Sequence, residues 1–320
     1  LDPPMHEFLP APSQLEFEIE HLHHLKRMTR SVTELPDTLR LLDPELPRDY
    51  VESLGKLRES LDRYQSAHRD DALLASREAM LRKVRLLAEV NPMLGHRGVR
   101  LGLSFPEIYE MQIRAILEAA AECRRDGVEA HPEIMVPQVC DAAELERVKV
   151  LVDRVRTEVE ARYGVALRFK FGSMIEVVRA CLTAKSLAEV AEFFSFGTND
   201  LTQATFSFSR EDAENKFLPQ YIEQGILPEN PFESLDASGV GRLMKLAVEE
   251  GRASRPDLVI GICGEHGGHP ESIGLCQEAG LDYVSCSAPR VPVARLAAAQ
   301  ARLRREATSK AAAAAPVHAD

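Results

Sequence analysis

The stretch GICGEHGG, residues 261–268, places a cysteine, a glutamate and a histidine among four glycines. It follows the apolar run Leu258-Val259-Ile260, which predicts that the motif begins where a buried strand ends. These eight residues are compatible with a metal-binding turn, a redox-active thiol, a phosphate-binding loop or a purely structural turn. The motif alone therefore leaves its chemistry open.

Three other predicted strand ends also carry polar side chains. Arg97 lies in GHRGVR, Glu176 closes GSMIE, and Asp200 closes FGTND. Taken singly, these residues have ordinary structural explanations: a surface ion pair, a first-turn carboxylate and a helix N-cap, and Cys263 could be a small buried apolar residue. Chance does not readily place carboxylates after two successive strands and a thiol in the glycine-rich loop that follows, so we expect these residues to form one site.

These residue types indicate chemistry on a small oxyacid. Two carboxylates suit Mg²⁺, which leaves its other positions to water and substrate oxygens, whereas a Zn²⁺ site would need paired His and Cys ligands. The backbone amides of Gly197, Thr198 and Asn199 precede a predicted helix and can form an anion-binding nest. Arg97 would add a planar cation for carboxylate or phosphoryl oxygens.

From residue 91 onward, short β-type runs alternate with longer amphipathic stretches. The strand candidates are 98–103, 133–137, 167–175, 193–197, 258–263 and 283–287. The helix candidates are 106–125, 142–162, 177–191, 237–250, 270–279 and 292–305. This alternation predicts an α/β fold with a parallel sheet, and it fits both an eight-fold barrel and a doubly wound sheet.

Residues 13–90 have a different character. They are charged, with apolar residues at three- and four-residue spacing, which predicts helices that Pro36, Pro44 and Pro47 separate.

Composition limits the classes of function. The 320 residues carry a net charge of −11, which argues against a general nucleic-acid or membrane surface. Mean hydropathy is −0.20, and no apolar run approaches the ~20 residues of a spanning helix. The six cysteines include no CxxC pair, which is typical of reduced thiols and predicts a cytoplasmic location.

Long stretches of the chain closely resemble the barrel of the pyruvate, phosphate dikinase family that binds phosphoenolpyruvate (PEP) and pyruvate. The similar segments are NPMLGHRGVRLGLSFPEIYEMQIRAI (91–116), FFSFGTNDLTQATFSFSRED (193–212), KFLPQYIEQGILPENPF (216–232), GICGEHGG and GLDYVSCSAPRVPVARLAAAQ (280–300). The resemblance runs almost continuously from residue 91 to about residue 300. It implies a (β/α)8 barrel of the TIM type.

The resemblance also implies a role for each candidate residue. Glu176 and Asp200 match the family's two Mg²⁺ ligands, and Cys263 matches its catalytic acid/base. The remaining matches are the substrate-binding residues Arg97, Gly197, Thr198, Asn199 and Asp200. The implied chemistry is Mg²⁺-assisted enolisation of pyruvate, followed by phosphoryl transfer from a phosphohistidine on another domain.

The family's phosphohistidine and ATP-binding domains have no counterpart in this sequence, and neither do its first two barrel strands. We therefore expect the end of an early barrel strand and its loop at 1–12, a helical insertion at 13–90, the barrel at 91–305 and a disordered tail at 306–320. The resemblance further implies a homodimer, and a fragment of this kind would be inactive alone. The alternatives are a noncatalytic PEP-binding or dimerisation module and a Mg²⁺-dependent pyruvate lyase or aldolase.

Overall fold

A computed structural model describes residues 9–43, 45, 47–67, 70–87 and 94–314. The chain divides near residue 90 into two compact units, a helical one and an α/β one.

The first unit consists of α1 (Pro12–Leu42), α2 (Arg48–Ala67) and α3 (Asp70–Leu87). Helix α1 packs against both of the others, and Leu15, Leu81 and Val84 are buried between α1 and α3. Helix α1 continues through Pro36, so the prediction that this proline separates two helices is wrong; an interior proline removes one backbone hydrogen bond and crowds the preceding turn, but it does not end this helix. Residues 9–11 form no strand, and 1–8 lie outside the described residues.

The second unit contains all the described strands. Its elements are α4 (Val99–Ser104), α5 (Pro106–Arg125), β1 (Glu133–Val136), α6 (Ala142–Tyr163), β2 (Lys170–Ile175), α7 (Val178–Leu182), α8 (Ala184–Val190), β3 (Phe193–Gly197), α9 (Thr198–Phe206), α10 (Arg210–Lys216), α11 (Leu218–Glu223), α12 (Val240–Ser254), β4 (Val259–Cys263), α13 (Pro270–Ala279), β5 (Tyr283–Val284) and α14 (Val291–Ala314).

The five described strands form one parallel sheet in the order β1-β2-β3-β4-β5. Each strand thus pairs with its predecessor in the chain, and the order never reverses. A doubly wound sheet reverses at a switch point, whereas a barrel adds its strands in one direction. The predicted α/β class with a parallel sheet is confirmed, and the strand order favours the barrel, whose closure stays a prediction.

Apolar side chains cover the strands of this sheet. Every residue of β3 is buried, as expected for a strand with packed side chains on both faces. Phe171, Phe194, Phe196, Ile260 and Ile262 belong to one core with the inner faces of the helices. This packed core positions the strands, and with them the residues just beyond their carboxyl ends.

Two predictions for this unit are wrong. Residues 98–103, expected as a strand, form the N-cap and the first five of the six residues of α4, because a short, largely apolar segment fits a helical turn as well as a strand. The tail expected to be disordered from 306 continues α14 as far as Ala314, through an alanine run of high helix propensity. Residues 315–320 lie outside the described residues.

Within the described residues, we found no helix that combines the length and the apolar character needed to cross a membrane.

Candidate active site

The sheet register brings the ends of β2, β3 and β4 together. Ile175 of β2 pairs with Phe196 of β3, and Gly197 of β3 pairs with Cys263 of β4. Glu176 directly follows β2, and Asp200 lies in the first turn of α9 after β3. The two carboxylates, the glycine loop and the thiol that the sequence singled out are therefore neighbours at one edge of the sheet.

Glu176 is a buried carboxylate, with 3% of its surface exposed. Its Oε1 accepts a hydrogen bond of 2.6 Å from the backbone N–H of Gln138. Gly197 packs tightly against it: a Cβ built on Gly197 would overlap Glu176 Oε2 and lie 2.8 Å from Met174 Sδ. Position 197 therefore has to be glycine for Glu176 to occupy this place.

Asp200 is the third residue of α9, whose N-cap is Gly197. It is not the N-cap itself, although the start of a helix still favours a carboxylate. Its Oδ1 accepts a long hydrogen bond of 3.3 Å from Nε2 of Gln138.

Gln138 was missed by the sequence analysis. It follows β1 and contacts both carboxylates, one through its backbone and one through its side chain. It is 1% exposed and has a φ of 59°. The signal was available, because the rule that polar residues gather after parallel strands applies to β1 as well.

Cys263 closes β4, and its thiol donates to the carbonyl oxygen of Phe196 at 3.6 Å. Burial raises the pKa of this thiol, and the negative charges of Glu176 and Asp200 raise it further, against an opposing hydrogen bond from Ser195. The thiol is therefore protonated at neutral pH. None of the six cysteines is in a disulfide.

The glycine-rich turn after Cys263 is fixed by His266, which is fully buried. Its Nε2 donates to the carbonyl oxygen of Pro231 at 3.0 Å, so Nδ1 is left to accept from the hydroxyl of Thr198 at 2.7 Å. Burial is the main cause that lowers the pKa of His266 and keeps it neutral. Gly264 has a φ of 100°, which lets the chain turn beside Thr198 and Asn199.

Arg97 is half-buried and precedes α4 rather than a strand. The adjoining Gly98 lies against the end of β1, where the N–H of Val99 donates to Pro137 O at 3.0 Å. The structure therefore places the Arg97 loop beside Gln138.

A cavity of about 570 Å³ opens beside the glycine-rich turn that follows Cys263. Its lining includes Asn199, Gly264, His269, Ser285 and Arg290. It has room for a small ligand beside the glycine turn.

The donor atoms present suit a hard cation. The part of the chain that the structure describes contains no group of three or more His, Cys, Asp or Glu able to hold a metal. The side-chain oxygens Gln138 Oε1 and Asn199 Oδ1 are buried without a hydrogen-bond partner among the described residues. Two carboxylates with amide oxygens nearby form the type of oxygen set that Mg²⁺ accepts.

Comparison with known proteins gives one family. The family model described as PEP-utilising enzyme, PEP-binding domain, matches residues 6–303. Pyruvate, phosphate dikinase of Entamoeba histolytica is 53% identical over 278 residues, 87% of this chain and 31% of that protein. The chloroplastic pyruvate, phosphate dikinase 1 of Arabidopsis thaliana is 52% identical over 272 residues, 85% of this chain and 27% of that protein.

The chain thus spans less than a third of the length of these relatives. A solved citrate lyase from Burkholderia xenovorans aligns with 59% of this chain and 53% of its own at 15% identity and a TM-score of 0.40, too low a similarity to support an argument. The extent of the family match is decisive: the chain belongs to the PEP-utilising enzymes and contains their PEP-binding domain.

Proposed function

We propose that this chain is the PEP- and pyruvate-binding part of a pyruvate, phosphate dikinase, which converts ATP, pyruvate and phosphate into AMP, PEP and diphosphate. The observation that carries the proposal is that Glu176 and Asp200 both accept hydrogen bonds from Gln138. They lie beside the strand that ends in Cys263. The names of the relatives support the same reaction.

Glu176 and Asp200 would hold Mg²⁺. The buried amide oxygens nearby support this assignment, because Mg²⁺ takes oxygen ligands. When bound, Mg²⁺ supplies positive charge against the substrate oxygens.

The start of α9 would bind the anionic substrate. The backbone N–H groups of Gly197, Thr198 and Asn199 lie at the positive end of a helix, which attracts carboxylate oxygens. The guanidinium of Arg97 would hold the phosphoryl group, because its planar donors match phosphate oxygens.

Cys263 would move the proton at C3 of the substrate. A thiol whose pKa is raised is protonated at neutral pH, so it can donate a proton to C3 of the enolate to form pyruvate, and it can take the proton back in the opposite direction.

The phosphoryl group would come from a phosphohistidine on a separate domain, itself charged from ATP. We infer that these 320 residues carry the enolisation half of the reaction and are inactive as an isolated fragment, since the matched part of the relatives is less than a third of their length. A cytoplasmic homodimer follows from the same resemblance, and sedimentation velocity on the purified chain will test the dimer.

Binding of oxalate, which mimics the enolate of pyruvate, tests the proposal. Calorimetry on the purified chain should detect oxalate binding with Mg²⁺ present and none after chelation with EDTA. Binding that is indifferent to Mg²⁺ would contradict the assigned site. If Mg²⁺-dependent pyruvate cleavage requires Glu176 but not Cys263, the lyase alternative is favoured instead.

A further inference from the structure

Gln138 has an unusual backbone. Gln138 and Ser207 are the non-glycine residues with positive φ among those described, both at 59°. Ser207 ends helix α9, where the left-handed conformation is common, whereas Gln138 caps no helix. A glutamine in this region persists only where its surroundings fix it. Here its N–H donates to Glu176 Oε1 at 2.6 Å.

The side chain of Gln138 is as constrained as its backbone. It is almost completely buried, and its Nε2 reaches Asp200 Oδ1 at 3.3 Å. The other carboxamide atom, Oε1, has no partner among the described residues. Because an unpaired buried amide is unfavourable, a glutamine here is best explained by the groups that it connects and by a donor or cation supplied from outside the chain.

A third segment of the site rests on the same residue. A Cβ built on Gly98 would lie 3.0 Å from Gln138 Cβ and 2.9 Å from Pro137 O. The loop that carries Arg97 therefore packs directly on Gln138, and the absence of a side chain at Gly98 makes this close approach possible.

From these contacts we infer that Gln138 is a positioning residue, which fixes Glu176 and Asp200 relative to each other so that together they bind a divalent cation. The inference rests on the proposed function and adds a residue to it. Outer partners of metal-binding carboxylates set the direction of the ligand oxygens, and their removal typically weakens metal binding by about 10- to 100-fold.

Two substitutions isolate the carboxamide. Gln138→Met keeps the length of the side chain but has no donor or acceptor. Gln138→Asn suits the left-handed backbone and keeps an amide, but it is one methylene too short to reach Asp200. Both retain the backbone N–H that binds Glu176. The matched control is Gln112→Met, which removes another amide with a buried unpartnered oxygen, on helix α5.

The measurement is the affinity for Mn²⁺, with and without oxalate, read from the electron paramagnetic resonance signal of free Mn²⁺ on the purified chain. We expect both Gln138 variants to bind Mn²⁺ about tenfold more weakly or worse, and Gln112→Met to bind as the wild type does. The melting temperature of each metal-free protein is recorded alongside, because a merely structural role would lower it and leave the affinity of the folded protein unchanged.

The outcomes separate the two proposals. If the wild type binds Mn²⁺ and oxalate and both Gln138 variants match it, the positioning role is wrong and the proposed function stands. If the wild type binds neither probe, the proposed function fails, and the inference fails with it. Weaker Mn²⁺ binding by the Gln138 variants alone supports the inference.

Discussion

The environment of a few side chains sets the chemistry of the site. Cys263 is an ordinary cysteine in sequence, but burial and two nearby carboxylates raise its pKa and keep it protonated. Glu176 keeps its place because the residue opposite it is Gly197. At the scale of single residues, the proposed function therefore depends on neighbours as much as on the reactive groups themselves.

Replacing Cys263 by alanine should abolish proton exchange while leaving binding intact. We expect Cys263→Ala to bind oxalate with Mg²⁺ within about threefold of the wild type, because the thiol contributes no charge to the site. Exchange of the pyruvate methyl protons for deuterium, followed by proton NMR, should be lost. Cys123→Ala, which removes a half-buried thiol on α5, serves as the control. Retained exchange in Cys263→Ala would rule out the acid/base role.

Substitution of Gly197 should displace Glu176. The added methyl group of Gly197→Ala would overlap a carboxylate oxygen and approach Met174 Sδ, an overpacking that typically lowers the free energy of unfolding by ~1–3 kcal/mol. We expect the Mg²⁺-dependent binding of oxalate to be lost in calorimetry. Gly274→Ala is the control, because a Cβ there meets nothing within 4 Å. Normal binding by Gly197→Ala would show that the position of Glu176 is unimportant.

At this scale the sequence indicated the candidate residues but not the contacts that fix their positions. Glu176, Asp200 and Cys263 were found because they follow apolar runs. Gln138 follows such a run too, yet a neutral glutamine attracts no attention until its two hydrogen bonds are seen. The positive φ of Gln138 is likewise invisible in sequence, since glutamine has no preference for it.

At the scale of elements, the important connection joins the turn after β4 to helix α9. His266 links the two through Thr198 and also bonds to Pro231 in the segment before α12. Arg210 of α10 forms a bidentate ion pair with Glu265 in the same turn. The turn is thus held from three sides, and a neutral His266 is required for the bond from Thr198.

His266 should make stability depend on pH. Its pKa in the folded protein is below the ~6.5 of an unfolded chain, so the unfolded chain takes up the proton first as the pH falls. The stabilisation is complete above about pH 6.5 and is lost as the pH falls through the folded pKa. We expect the melting temperature to fall between pH 7.5 and pH 5.5 by more in the wild type than in His266→Gln.

The comparison with His266→Gln isolates one histidine from the others. His131→Gln, which changes a highly exposed histidine, should keep the wild-type pH dependence. An equal fall of the melting temperature in the wild type and His266→Gln would mean that His266 does not titrate differently in the folded and unfolded chains.

Elements with strong end signals were predicted well. Helices α5 and α13 have the predicted bounds, and each begins with a proline in its first turn. The strand predicted at 98–103 was wrong, because the conformation of this segment depends on a contact with Pro137, far away in sequence. Helices α9, α10 and α11 were not predicted, since they are short and lie between two clear elements.

At the scale of the molecule, the α/β unit contains the candidate site and the helical unit none of its residues. The parallel sheet was inferable from the alternating pattern, because a crossover of helix length between strands leaves them parallel, whereas the strand order was seen first in the structure. The continuation of α14 to Ala314 was not, since an alanine-rich end reads equally well as a frayed tail.

The central claim is that Glu176 and Asp200 together hold the cation that binds an enolate. Calorimetric titration of oxalate in the presence of Mg²⁺ tests it on three variants: Glu176→Gln, Asp200→Asn and the control Glu160→Gln, which also removes a carboxylate bonded to a backbone N–H. We predict at least a hundredfold loss of affinity in the first two, about 2.7 kcal/mol of binding free energy, and no change in the control. Wild-type affinity in either site variant would contradict the claim.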